Sequence, residues 1–433
     1  MSFVQERSAF DLSPRAAEGR VYTRTILTLA FVLRVGVGWI AISALPRNWF
    51  FNNAADLGYL AQSIAQGRGM SSPFGGATGP TALVTPGYPL FVALFFRIFG
   101  RYSIASAATL MLAQILFAVT TVWLTIWIAH RLFGAQAANL AGFVSALSLP
   151  LLWLPTLFWE TCLSILLLVG AMALALKMAE RSSERQWIFC GLYCGVAVLV
   201  NPALIPAMAA MLICAAAQRK PASVRGPLLA GAVMLAIFLP WPIRNAFAMH
   251  SPVMLRSSFG YELWQGNRPG GDGKFDDSLY PLHSAREFEE YSSRGELAYM
   301  RDKLVLAEGY IRAHPANFFL LTAKRIARFW SGTGGDTNLL QVEAHCIATL
   351  ALGLAGLGLL YRRSPALALL FFLPLLLFPL PYYITDIKFR YRFVIDPFLT
   401  ILAAYAIIEL IVIVKRKRAQ LSSALQSQAD TAS

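Results

Sequence analysis

The stretch Pro86-Gly87-Tyr88-Pro89-Leu90-Phe91-Val92-Ala93-Leu94-Phe95-Phe96-Arg97-Ile98-Phe99 decides how the whole chain is threaded. It is apolar enough to enter a bilayer, but it is only 14 residues long. A helix needs about 20 apolar residues to cross roughly 30 Å of hydrocarbon. If the stretch crossed alone, every basic cluster after it would move to the other side of the membrane. Read as an interfacial or re-entrant helix, it leaves all those clusters on one side, as the positive-inside rule expects.

Working outward, apolar runs that read as spans lie near residues 22–45, 104–130, 135–154, 157–177, 187–201, 202–217, 226–244, 344–361, 365–383 and 397–414. Hydrocarbon offers backbone polar groups no partners, so runs of this kind fold as helices. The expected fold is therefore an all-α polytopic membrane protein, a bundle of about ten transmembrane helices with interfacial helices in its outer loops. With Arg7, Arg15, Arg20 and Arg24 in the cytoplasm, the cytoplasmic turns carry Arg131; Lys177, Arg181 and Arg185; Arg219, Lys220 and Arg225; and Arg362 and Arg363. Lys415-Arg416-Lys417-Arg418 also falls inside. This divides the chain into a cytoplasmic tail (1–21), a membrane domain (22–414) and a basic, polar cytoplasmic tail (415–433). The outer face holds a first loop (46–103), a long loop (245–343) and a short turn (384–396). The first apolar run, about Val21 to Leu45, is too long for a signal-peptide core and reads as an uncleaved anchor.

Of the 433 residues, 57% are hydrophobic and 14% charged, against about 25% charged in ordinary soluble domains. The net charge of +14 is distributed as short clusters between apolar runs, so it reads as a topology signal rather than a nucleic-acid-binding stripe. The five cysteines all fall in apolar runs without a Cys-x-x-Cys spacing, and they read as small core residues. No metal-ligand spacing of histidines, P-loop, dinucleotide fingerprint or Gly-x-Ser-x-Gly elbow occurs.

Candidates for chemistry gather in the outer loops. Asp56 is the only acidic residue between Pro46 and Ser103. It stands at the first turn of a helix whose apolar residues Leu57, Leu60, Ala61, Ile64 and Ala65 share one face. There it serves either as a helix-terminal charge or as a base at the membrane surface. Lys388, Arg390 and Arg392 alternate with aromatics in an outer turn, where dense positive charge runs against the topological trend. With Arg244 they suit an anionic group such as a phosphate. Arg34, near the middle of the first span, needs an interior partner, and Glu160 is the candidate. The segment Asn317 to Trp330 reads as an amphipathic interfacial helix carrying Lys324, Arg325 and Arg328.

Asp56, Gly67-Arg68-Gly69 and Thr85-Pro86-Gly87-Tyr88-Pro89-Leu90, taken in order, are the first landmarks of a resemblance. Further landmarks are Pro240-Trp241-Pro242-Ile243-Arg244-Asn245, Arg256 through Trp264, Gly266-Asn267, and Tyr391-Arg392-Phe393 before Asp396-Pro397. Together the chain resembles the GT-C superfamily of membrane glycosyltransferases, of the family 39 type that includes protein mannosyltransferase-like and aminoarabinose-transferase-like proteins. The resemblance implies transfer of a single hexose or pentose from a polyprenyl-phosphate donor, with inversion, at the outer face of the cell (inner) membrane. Asp56 matches the catalytic base, and Arg244, Lys388, Arg390 and Arg392 would bind the donor phosphate. Tyr59, Tyr88, Arg34, Glu160 and Arg256 are further site candidates. The acceptor would be a glycan, lipid or protein. No metal ligand is assigned, and a monophosphate leaving group does not require the absent Asp-x-Asp motif. In two places the chain departs from many relatives: Ala54 and Ala55 precede Asp56, and Asn201-Pro202 replaces an expected Arg-Pro. A transporter or flippase of lipid-linked sugars, a polysaccharide ligase or polymerase, and a non-catalytic assembly protein are the alternatives.

Overall fold

The computed structural model describes residues 19–45, 49–180, 183–218, 224–333 and 340–432. Arg7, Arg15, Arg181, Arg219 and Lys220, which carry part of the topology signal, lie outside them. Among the described residues the chain is helical, with only two isolated β-bridges, Ser71↔Pro80 and Lys274↔Ile387.

Seven described helices are long and apolar enough to cross a membrane. They are Thr23–Ala44, Ile104–Phe133, Thr161–Glu180, Arg225–Met249, Leu340–Arg363, Pro365–Ile384 and Phe389–Gln420. The pair Ala135–Leu147 and Leu149–Thr156, bent by 57°, makes an eighth if counted as one span. The remaining two expected spans are also helical but shorter: Glu184–Val200, and Pro202–Ala217 behind Asn201. Asn201 separates them because Pro202 cannot donate, and its side chain accepts from the Ala203 amide at 3.2 Å.

The decisive stretch folds as Gly87–Phe99, 13 residues or roughly 20 Å of helix, too short to span. It packs against the Ala55–Ala65 and Ile104–Phe133 helices. Its entry is tight: a Cβ on Gly87 would come within 2.6 Å of the Leu199 carbonyl, so only glycine lets the first loop touch the end of Glu184–Val200.

Arg34 does not pair with Glu160. The bend after Leu147 explains why. Pro150 lacks the N–H that would reach back to Ala146, and the break frees the Ser145 carbonyl too. Arg34 fills both gaps, donating to Ser145 at 3.0 Å and to Ala146 at 3.3 Å. A cation at a helix C-terminus also meets the negative end of the macrodipole. The arginine, only 1% exposed, is thus a cap for a broken span.

Outside the spans, the long loop folds into Phe259–Asn267, Ala285–Arg294, Glu296–Ala313 and Pro315–Ser331, broken at His314-Pro315 as the proline requires. Arg325 is not on the polar face of an interfacial helix but fully buried. It donates to the carbonyls of Tyr383 (2.7 Å) and Gly266 (2.6 Å) and to Asn267 Oδ1 (3.1 Å). Glu296 ties the two large loops together. It accepts from the Ala82 amide and the Ser257 and Tyr291 hydroxyls, each at 2.7 Å, and from the Thr81 hydroxyl.

Replacing Arg34 with methionine keeps the bulk but orphans two buried carbonyls, at about 1–3 kcal/mol each. The expected result is a clear drop in the melting temperature of the detergent-purified protein; an unchanged melting curve would refute the capping role.

Candidate active site

Ala54, not Asp56, is the N-cap of Ala55–Ala65, and no side chain caps this helix. Asp56 is one residue inside the first turn and 5% exposed. Its carboxylate accepts from the Tyr280 hydroxyl at 2.9 Å, a partner 224 residues away. Tyr280 is held by Phe74, Phe275 and Tyr261, with ring centroids 5.2, 5.3 and 5.9 Å from its own.

Asp56 lines a cavity of about 130 Å³ between the first loop, the long loop and the 384–396 turn. Lys388 and Arg390 line it as well, each set on an aromatic floor. The Lys388 ammonium stands 3.8 Å from the Phe275 ring centroid, and the Arg390 guanidinium 3.4 Å from that of Trp159. Flat π-faces hold cations while leaving their N–H groups for another partner. Arg390 is 6% exposed, and its Nε and one terminal nitrogen have no hydrogen-bond partner.

Of the other expected site residues, Tyr88, Glu160 and Arg256 reach the same cavity. Arg256 approaches Glu262 at 4.0 Å. Four do not reach it. Arg244 is spent on the carbonyls of Thr81 (2.8 Å) and Met70, where it staples the first loop down. Arg392 pairs with Asp396 at 3.0 Å and donates to Thr349 at 3.1 Å. Phe389–Ile395 is a 3₁₀ turn, whose three-residue period puts Arg390 and Arg392 on different faces. Tyr59, 37% exposed, lies beside Gly75 and Tyr102, outside the cavity. Arg34 caps the bent span.

Several lining residues had no place among the expected site residues, Tyr280, Glu262 and Asp386 among them. Asp386 is 3% exposed, with one oxygen unpartnered. A signal existed for it, since it stands two residues before the Lys388–Phe393 cation cluster.

Electrostatics follow from burial. Desolvation raises the Asp56 carboxyl, against the pull of the Tyr280 and Leu57 hydrogen bonds and the Lys388 and Arg390 charges. Desolvation likewise pushes Asp386 up to about 6, with Lys388 and Arg390 lowering it and Glu262 raising it. Lys388 is lowered by burial and by Arg390, and is drawn back up by Asp386 and Asp56. Burial thus shifts the Asp56 and Asp386 carboxyls and the Lys388 ammonium alike towards their neutral forms. Among the described residues, no group of three or more His, Cys, Asp or Glu is placed to hold a metal ion.

Residues 83–243 match the dolichyl-phosphate-mannose-protein mannosyltransferase family. No curated protein matches the sequence. The structure is similar to the apo oligosaccharyltransferase of Archaeoglobus fulgidus, with a TM-score of 0.51 at 15% identity over 93% of this chain and 52% of that one. It is also similar to the AglB oligosaccharyltransferase of the same organism in complex with an inhibitory peptide and a dolichol-phosphate. There the TM-score is 0.50 at 14% identity, again over 93% and 52%. The chain spans about half the length of these archaeal enzymes. ArnT from Cupriavidus metallidurans bound to undecaprenyl phosphate aligns at a TM-score of 0.42 and 14% identity, over 89% of this chain and 78% of that one.

Asp386 is expected to titrate near pH 6, protonated below and ionised above. Infrared difference spectra between pH 5 and 7 should show a carboxyl band that Asp386→Asn removes; its persistence in the variant would contradict the assignment. The two archaeal likenesses show that the chain shares the helical membrane-bundle fold of these oligosaccharyltransferases.

Proposed function

We propose that the chain transfers a single sugar from a polyprenyl-phosphate carrier to an acceptor at the outer face of the cell membrane, with Asp56 as general base. One observation carries this reading. A buried carboxylate of raised basicity lines the same cavity as two cations seated on aromatic faces, one of them with buried N–H groups that have no acceptor, although the sequence separates carboxylate and cations by more than 300 residues. The matched mannosyltransferase segment and the dolichol-phosphate held by the archaeal fold neighbour support it.

The chemistry follows from the residues. Asp56 takes the proton from an acceptor hydroxyl as that oxygen attacks the anomeric carbon. The bond from that carbon to the phosphate oxygen breaks, and its electron pair leaves on the phosphate. A single displacement inverts the configuration. Lys388 and Arg390 stabilise the charge that develops on the leaving phosphate, and they do so from fixed positions that need no reorganisation. Tyr280 donates to one Asp56 oxygen and so favours the ionised form against the desolvation that raises its pKa. The basic clusters on one side of the bundle put both termini in the cytoplasm and the cavity on the opposite face.

Asp56→Asn should lower transfer roughly 10²–10⁴-fold, the usual worth of a general base, while leaving donor binding intact. In a deletion strain this variant, expressed at the wild-type level, should lose one envelope glycan substituent while the lipid-linked donor persists. Restoration of the glycan would refute the assignment and bring forward a transporter. Tyr280→Phe removes a bond that lowers the Asp56 pKa. The active form of the base is the ionised one, so the acid limb of the kcat/KM profile should move to higher pH. A limb that stays in place would mean that Tyr280 does not tune the base.

A further inference from the structure

Two opposite demands meet in the cavity. Arg390 presents buried N–H groups with no acceptor, and Asp386 presents a buried carboxylate oxygen with no donor. A phosphate ester answers only the first, because its oxygens accept from arginine and offer a carboxylate nothing. Whatever meets Asp386 must bring an O–H or N–H. The Tyr88 hydroxyl, 2% exposed, lines the same cavity and also has no partner.

Asp386 cannot relieve its position by swinging out to water, because the backbone on its N-terminal side is clamped. Arg325 holds the Tyr383 carbonyl at 2.7 Å, and Asn267 holds that of Ile384 at 2.8 Å. Gly266 lies so close to Thr385 that a Cβ would come within 1.8 Å of its carbonyl oxygen. Beyond Asp386, Ile387 bridges to Lys274. A carboxylate fixed this firmly, with one oxygen unsatisfied beside a cavity, is a binding group waiting for a donor. The neighbouring Glu262 does not share the task to the same degree, since the Ser258 hydroxyl already donates to it at 2.9 Å.

We propose that Asp386, together with the Tyr88 hydroxyl, forms the subsite that binds the hydroxyl groups of the donor's sugar, next to the phosphate position at Arg390. This rests on the transferase reading above and extends it to the residues that set sugar identity. One molecule satisfies both demands when it carries an acceptor-only anion and, a few bonds away, several hydroxyl donors; a sugar phosphate is that molecule.

The test uses the full-length protein in nanodiscs. Binding is measured for bare undecaprenyl phosphate and for undecaprenyl phosphate bearing mannose, glucose, galactose or arabinose. The wild type should bind at least one glycosylated lipid more tightly than the bare carrier. Asp386→Asn should weaken that lipid roughly tenfold to a hundredfold, the range for losing a hydrogen bond to a charged group, and leave the bare carrier within about twofold. Tyr88→Phe should shift binding in the same direction by a smaller factor, and it decides the matter if Asp386→Asn elutes as aggregate. Equal losses for bare and glycosylated lipid, or none for either, would overturn the subsite. Asp56→Asn, run alongside, should bind both lipids as wild type does while failing to transfer. If wild type binds no glycosylated lipid better than the bare one, the transferase reading itself falls, and the subsite with it.

Discussion

The outer half of the molecule depends on one buried carboxylate, Glu296. Two oxygens gather four donors: two from the Thr81-Ala82 corner of the first loop, one from Ser257, and one from Tyr291. Isolated charges are very costly away from water unless hydrogen bonds replace their hydration. Glu296 is 5% exposed, so its ionised form is tolerable only while both loops are in place to supply those bonds. That makes the carboxylate a condition on assembly: the first loop and the long loop fold onto each other or the charge is stranded. The cavity exists because they do, since Asp56 comes from the first loop and Tyr280 from the long one.

Arginine shows the same economy with the opposite sign. Arg34, Arg244 and Arg325 all spend their forks chiefly on backbone carbonyls. Arg392 spends its own on Asp396 and Thr349. Five donors in a rigid planar fork suit this work, because one side chain can close several gaps at once. Arg390 differs from these four in leaving two buried nitrogens without a partner, where Arg34 and Arg392 each leave only Nε. Trp159 supports it from below without consuming its donors. A binding arginine in this fold is therefore marked not by charge or depth but by what its N–H groups lack.

This explains what could be read from the sequence and what could not. The spans and the loops between them were legible because hydropathy acts locally, whereas the bend after Leu147, inside the expected span 135–154, went unread. The place of Asp56 in the cavity was legible through scarcity, and that of Lys388 and Arg390 through dense charge in a short turn between apolar runs. Arg392 carries the same local signal but turns away, a consequence of the 3₁₀ period that alternation with aromatics does not reveal. Arg244 lost its expected role to the carbonyls of Thr81 and Met70, 163 and 174 residues earlier in the chain. Tyr280 was invisible for the same reason, since nothing within its own neighbourhood points to a partner in the first loop. Local physics wrote the scaffold, whereas the division between structural and binding side chains was written by contacts across the fold.

The placement of the cavity follows from these constraints. On the proposed reading, a site that pairs a base with phosphate-binding cations cannot set base and cations side by side on one helix, where they would pair with each other, nor on a fully wet surface, where each interaction is screened. It also cannot lie deep in hydrocarbon, where unpaired charges are too costly. The boundary between the spans and the packed outer loops meets all three conditions. There the last span begins with Lys388 and Arg390, the first loop supplies Asp56, and aromatic rings fill the space that water would otherwise take. The raised pKa of Asp56 and the lowered pKa of Lys388 are then two results of one cause: desolvation at the seam where the loops meet.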